Sequence, residues 1–209
     1  VPYADWEFFY AHVTQQSYLD VAAPVVGSGS LRLVGSPDAP GAIQGRWAQA
    51  SNRGFRQGRV TTLVQPVTGL AGQDMYGVYG ATSQDDVTGT SGTAYAALLV
   101  VGEAPETWEV RLVKATAGFG SLLTVLQTTT LPMAFGETLG LQLQWLSESS
   151  FGTALRLAIG RALDYTDLVA QPIVQEPGVL LQSSAGEGPM AYLTGNGDCR
   201  FDQSQCEEI

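Results

Sequence analysis

Apolar and polar residues alternate with period two along much of this chain. The clearest run is Glu137–Trp145, where Leu139, Leu141, Leu143 and Trp145 share one side and Thr138, Gly140, Gln142 and Gln144 the other. That period predicts a strand with one face on a core and one toward water or a partner. Runs of the same kind predict strands at Trp6–Tyr10, Ser30–Val34, Ile43–Gln49, Arg59–Gln65, Met75–Tyr79, Thr93–Val101, Thr107–Lys114, Ser121–Thr128, Thr153–Ile159, Gly178–Gln182 and Met190–Thr194. Turn formers such as Pro37–Gly41 and Gly195–Asp198 separate them. One short helix is expected at Ala162–Val169, capped by Asp164 or Thr166. A dozen short strands with almost no helix predict an all-β, antiparallel β-sandwich of the jelly-roll kind, with a barrel as the architectural alternative.

The 209 residues are enough for one large β domain, and the 25 glycines and 10 prolines are spread between the strands rather than gathered in a linker. The chain therefore reads as a single domain over 1–209, with 1–28 an N-terminal arm and 199–209 a C-terminal tail. Charged residues make up 14%, against about 25% in an ordinary soluble domain. Gln, Thr, Ser and Gly must then supply the polar surface, which suits an extracellular or assembled setting as well as a plain solvated one. The net charge of -10, with Lys114 the one lysine, argues against direct contact with nucleic acid. No apolar stretch reaches the roughly 20 residues that span a bilayer. Cys199 and Cys206 are close enough in sequence to close a small disulfide loop, with two free thiols as the alternative.

Several segments, in order, carry a resemblance: Gly29–Leu33, Arg53–Val64, the paired runs Tyr95–Val101 and Thr107–Lys114, the Gly140–Trp145 strand with Leu155–Ile159, then 177–181 and Phe201-Asp202. In pattern and spacing the region from Leu31 to Asp202 resembles the concanavalin A-like superfamily of lectins, glucanases and laminin-G-like domains. The resemblance implies a two-sheet jelly roll. Glucanases of that superfamily carry a Glu-x-Asp-x-Glu strand, because glycoside hydrolysis needs two carboxyl groups across the scissile bond. This chain has no such motif; the corresponding strands carry Gln142, Gln144, Ala154 and Arg156, so no catalytic residue is assigned. The single histidine, His12, lies in a polar stretch and reads as a surface or edge residue.

No cofactor is expected apart from the calcium that the resemblance allows. Asp85 and Asp86 are the candidate ligands, with Asp198 and Asp202 a second acidic pair. Ligand contact is assigned to Gln142, Gln144 and Arg156 on the outward strand faces and to Tyr76 and Tyr79 as aromatic platforms, with packing as the competing role of the tyrosines. Trp47 and Tyr95 are further aromatics of that kind, whereas Trp108 and Trp145 belong to the core.

The leading functional expectation is a non-catalytic structural or assembly module. Its setting would be the virion of a tailed phage, as capsid decoration, fibre or tail part, and its partners other copies of itself or a neighbouring assembly protein. The alternative is a glycan-binding, lectin-like module, secreted or surface-displayed. Both place the chain outside the cell or on a virion surface.

Overall fold

The computed structural model describes residues 6–10, 16–22, 24–38, 43–49, 56–81, 92–116, 122–148, 150–177, 179 and 187–209. Among these residues fifteen strands form two antiparallel sheets. The seven-stranded sheet runs in the order β1 (Trp6–Tyr10), β4 (Ile43–Gln49), β14 (Gly188–Leu193), β6 (Met75–Gly80), β7 (Ala94–Val100), β8 (Trp108–Ala115) and β9 (Leu123–Leu131). The eight-stranded sheet runs β12 (Val169–Ala170), β11 (Gly152–Gly160), β10 (Leu139–Glu148), β5 (Gln57–Thr68), β15 (Asp198–Glu208), β3 (Ser30–Val34) and β2 (Gln16–Asp20), and β13 (Val174–Glu176) also pairs with β11. This is the expected β-sandwich. One 3-10 turn, Pro105–Thr107, is the only helical element among the described residues, none of which forms a helix long and apolar enough to cross a membrane.

The alternation of β10 builds the layer between the sheets. Leu139, Leu141, Leu143 and Trp145 are all buried there, with Leu31, Leu33, Val60, Tyr76, Val110 and Phe201. Trp145 fills a slot left by two glycines. A Cβ on Gly58 of its own sheet would lie 2.6 Å from the indole, and one on Gly80 of the facing sheet 2.9 Å. Trp108 is buried in the same layer and meets Phe135 edge-on at 5.1 Å.

A second apolar cluster covers the far face of the seven-stranded sheet: Tyr79, Ala94, Ala96, Leu98, Val113, Ala115, Met190 and Tyr192. Every residue of β7 is thus buried, on one face or the other. The outward face of the eight-stranded sheet is different. Register aligns Arg156, Gln144, Arg59 and Glu207 across β11, β10, β5 and β15, and Ala158, Gln142, Thr61 and Gln205 in the next row.

Four expectations are corrected. The expected tail is β15, held between β5 and β3 near the middle of its sheet. Its inward side begins as Cys199 and Phe201; a register shift between Asp202 and Gln205, with Gln203 at φ 47°, then moves Cys206 onto the core side. Within the expected arm, residues 6–10 and 16–20 are edge strands bonded to β4 and β3. The disulfide does not form: Cys199 and Cys206 are free thiols. Seven steps of strand carry them roughly 20 Å apart, far beyond the roughly 4–7 Å between Cα atoms that a disulfide bridges. The expected helix at 162–169 is a bonded turn leading into β12. Asp167 accepts the backbone N–H groups of Arg161 and Ala162, at 2.8 Å from each, and Asp164 accepts those of Thr166 at 3.2 Å and its hydroxyl at 2.7 Å. Those bonds hold both carboxyls below the usual carboxylate range.

Candidate functional site

Two outer surfaces hold the candidate side chains. On the eight-stranded sheet the structure brings together Gln142, Gln144 and Arg156, because adjacent strands place Gln144 directly beside Arg156. Gln142 donates to Thr61 Oγ1 at 3.0 Å. Among the described residues, neither the Gln144 nor the Arg156 side chain has a hydrogen-bond partner. Most of the remaining charge on this face is spent within it. Arg59 pairs with Glu207 at 2.5 Å. Arg32 bridges Asp198 at 2.6 Å and Asp20 at 3.2 Å, and Arg200 meets Asp20 at 3.1 Å and Gln65 Oε1 at 3.1 Å. The loop after β11 covers part of the face: Tyr165 packs over Gly140 and donates its hydroxyl to the Gln203 carbonyl at 2.9 Å.

The tyrosines assigned to ligand contact are not on a surface. Tyr76 points between the sheets, 0% exposed, and donates to the Thr68 carbonyl at 2.8 Å. Tyr79 points the other way into the second apolar cluster and is 2% exposed. Their odd spacing does put them on opposite faces, but both faces are buried there. Burial, reinforced by nearby acidic groups, pushes the Tyr76 hydroxyl far above its ordinary range. Tyr95 is also buried and donates to Glu176 at 3.3 Å; burial first, then the Glu176 charge, raises it too. Glu176 also binds Lys114, tying β13 to β8 across the sandwich. Trp47, His12, Asp85 and Asp86 lie outside the described side chains.

The seven-stranded sheet carries a cleft at the end of its outward face. It holds about 210 Å³ and is walled by Gly72 in the β5–β6 turn, Val100 at the end of β7 and residues 101–103 after it, Thr107, and Glu109 and Arg111 of β8. Alternation on β8 sends Trp108 and Val110 inward and Glu109 and Arg111 outward, so two charged side chains share this wall. The Arg111 guanidinium donates to Glu109 Oε2 at 2.7 Å. Both side chains remain about one-third exposed, at 33% and 31%.

A buried carboxylate fixes the turn that forms the opposite wall. Asp74, 0% exposed, accepts the Leu70 N–H, the Thr194 N–H at 2.5 Å and the Thr194 hydroxyl at 2.9 Å. The backbone closes the rim through Gly72 N–H to the Val101 carbonyl at 2.8 Å and Val101 N–H to the Asp74 carbonyl at 3.1 Å. Thr107 caps its own turn, accepting Ala104 N–H and donating to Ala104 O, both at 2.9 Å. The cleft is therefore preformed.

Chemically the cleft offers a planar acceptor beside a planar donor, with backbone groups and Val100 around them. That combination suits a hydroxyl-bearing ring, since each hydroxyl both donates and accepts. A cleft of this size lies below the roughly 300–1,000 Å³ of pockets that enclose drug-sized ligands, so it fits one small ring or a chain end. It does not fit a calcium ion. Among its carboxylates Glu109 is engaged by Arg111, and the described residues hold no group of three or more metal-ligating side chains. Sequence reasoning missed Glu109 and Arg111 as a site; the available signal was the charged pair two residues apart on a strand whose other side is Trp108 and Val110.

Solved structures share the architecture. The VIP36 exoplasmic/lumenal domain, in a form bound to Ca2+ and Man3GlcNAc, aligns over 100% of this chain and 86% of its own at TM-score 0.60 and 14% identity. The cellulose-induced protein Cip1 aligns over 100% of this chain and 94% of its own at TM-score 0.60 and 11% identity. The Emp46p carbohydrate recognition domain, in a potassium-bound form, aligns over 98% and 89% at TM-score 0.57 and 8% identity. No protein-family model and no curated protein sequence matches the chain. At these identities the likeness is one of fold alone, a two-sheet antiparallel β-sandwich.

Proposed function

We propose that this chain is a non-catalytic, glycan-binding module of the lectin-like kind, acting in an extracellular or lumenal setting. The observation that carries the reading is the preformed cleft at the end of the seven-stranded sheet, with Glu109 and Arg111 side by side on its wall. Two of the similar structures support it, one in a form bound to Ca2+ and Man3GlcNAc and one described as a carbohydrate recognition domain. The cleft wall carries one guanidinium, Arg111, and two carboxylates, Glu103 and Glu109, which favours a neutral saccharide over an anionic one. Glu109 accepts from a sugar hydroxyl and Arg111 donates to its neighbour. The virion role that sequence reasoning ranked first finds no support among these neighbours, and glycan binding replaces it as the leading reading.

Titration calorimetry with Man3GlcNAc and a cello-oligosaccharide, with and without calcium, tests this. Binding of either sugar, weakened at least tenfold by Arg111→Ala and unaffected by Gln144→Ala, is the expected result. Absence of binding to both sugars and to a broad glycan array would remove the reading.

A further inference from the structure

We propose that the β9 side of the sandwich is a self-association surface on which two copies pair β9 to β9, antiparallel, about a two-fold axis. Among the described residues β9 has β8 on one side and no strand on the other. It is nine residues long and contains neither proline nor a charged residue. Natural edge strands are usually short, charged, or interrupted by proline, because an open ladder of N–H and C=O groups recruits another strand. The other edges follow that rule: β1 carries Glu7 and β2 ends in Asp20.

The neighbouring edge of the eight-stranded sheet extends the same surface. Thr129 donates to Gln171 Oε1 at 3.4 Å, which places the segment after β12 beside β9. Neither 122–131 nor 168–175 contains an ionisable side chain. Apolar groups stand exposed along this wall: Leu122 at 91%, Val169 at 64%, Ile173 at 58% and Val125 at 47%.

Charge then selects the occupant. Two copies of a chain with net charge -10 repel one another over most approaches. The β9 wall is neutral, so it lets them meet without juxtaposing like charges. A two-fold pairing is self-complementary, as closed homodimers require. Register shifts where Leu126 is extra, so the regular segment is Gln127–Leu131. An axis through Thr129 sets Thr128 opposite Thr130 of the second copy, and threonine pairs of this kind favour cross-strand contact.

Sedimentation equilibrium of the full chain tests the pairing. Wild type should double its mass with rising concentration. Thr128→Lys/Thr130→Lys sets lysine against lysine at both positions and should return a folded monomer. Thr128→Glu/Thr130→Lys sets glutamate against lysine twice and should tighten the dimer about threefold or more, by opposite charges facing across the ladder. A wild type monomeric up to about 1 mM overturns the proposal, since a weaker pairing than that holds little structure. So does a dimer that survives the lysine pair, or one lost with the glutamate–lysine pair. The last variant keeps the test decisive if the lysine pair fails to fold.

Discussion

The two outward faces of this sandwich solve the same problem in opposite ways. The eight-stranded sheet turns amides, threonines and arginines outward and neutralises most of its charges side chain by side chain, as in the Arg32, Arg200, Asp20 and Asp198 network. The seven-stranded sheet has an outward face of buried apolar residues and carries a polar cleft at one end, beside Arg111. A satisfied flat face has little to offer a ligand, because binding must first break bonds that already exist. The preformed cleft sets an acceptor and a donor, Glu109 and Arg111, side by side and one-third exposed, and their mutual bond leaves further lone pairs and N–H groups to offer. On the proposed reading, recognition lies at the end of the apolar face.

The same substitution on the two faces should break or confirm that contrast most sharply. Leu98→Asp places a carboxylate in the buried outer cluster of the seven-stranded sheet and should cost more than about 4 kcal/mol or abolish folding. Gln144→Asp, half-buried but solvated on the other sheet, should stay within about 1 kcal/mol by urea unfolding. Equal effects would mean that the outer cluster is not a core.

Asp74→Ala comes next. It strands the donors of Leu70 and Thr194 in a buried turn and should destabilise by about 3 kcal/mol. It should also weaken saccharide binding by loosening the cleft wall, whereas Asp20→Ala, at about 1–3 kcal/mol, should leave binding intact.

Alkaline pH sharpens the view of the layer between the sheets. Burial raises Tyr76, Tyr95, Cys199 and Cys206, so the folded chain keeps protons that the unfolded chain releases above about pH 9. Stability is then full below the unfolded-state values and falls as pH rises through them. Denaturant midpoints measured from pH 8 to 11 should decline steadily. Two thiols should titrate with a thiol reagent after unfolding and react very slowly before it; no thiol in the unfolded, unreduced chain would restore the disulfide.

The smallest effect expected is at Gln127, whose Oε1 is buried on the β9 wall without a hydrogen-bond partner. Gln127→Leu should stabilise by about 1 kcal/mol, by removing that unsatisfied acceptor.

Much of this architecture was legible because one face of a strand is wet. The alternation of β10 predicted both its buried leucines and its outward Gln142 and Gln144. Where both faces are buried, alternation vanishes: β7, Ala-Tyr-Ala-Ala-Leu-Leu-Val, says only that it is inside. The polarity of β15 made a central strand look like a tail. Its polar residues face Arg59 and Gln65, and the bulge at Gln203 shifts its inward side from odd to even positions, which breaks the period. The tyrosines misled for the same reason as β7, since outward on the seven-stranded sheet does not mean exposed. The cleft depends on a turn fixed by Asp74 and Thr194, which lie 120 residues apart, a contact that no local pattern reveals.

The most direct test of recognition at the cleft is a chemical-shift map of the isotope-labelled chain, titrated with whichever saccharide binds. Perturbations centred on Gly72, Gly102, Thr107, Glu109 and Arg111 are the predicted result. Perturbations centred on Gln142, Gln144 and Arg156, with the β8 residues unmoved, would contradict it and return the site to the eight-stranded sheet.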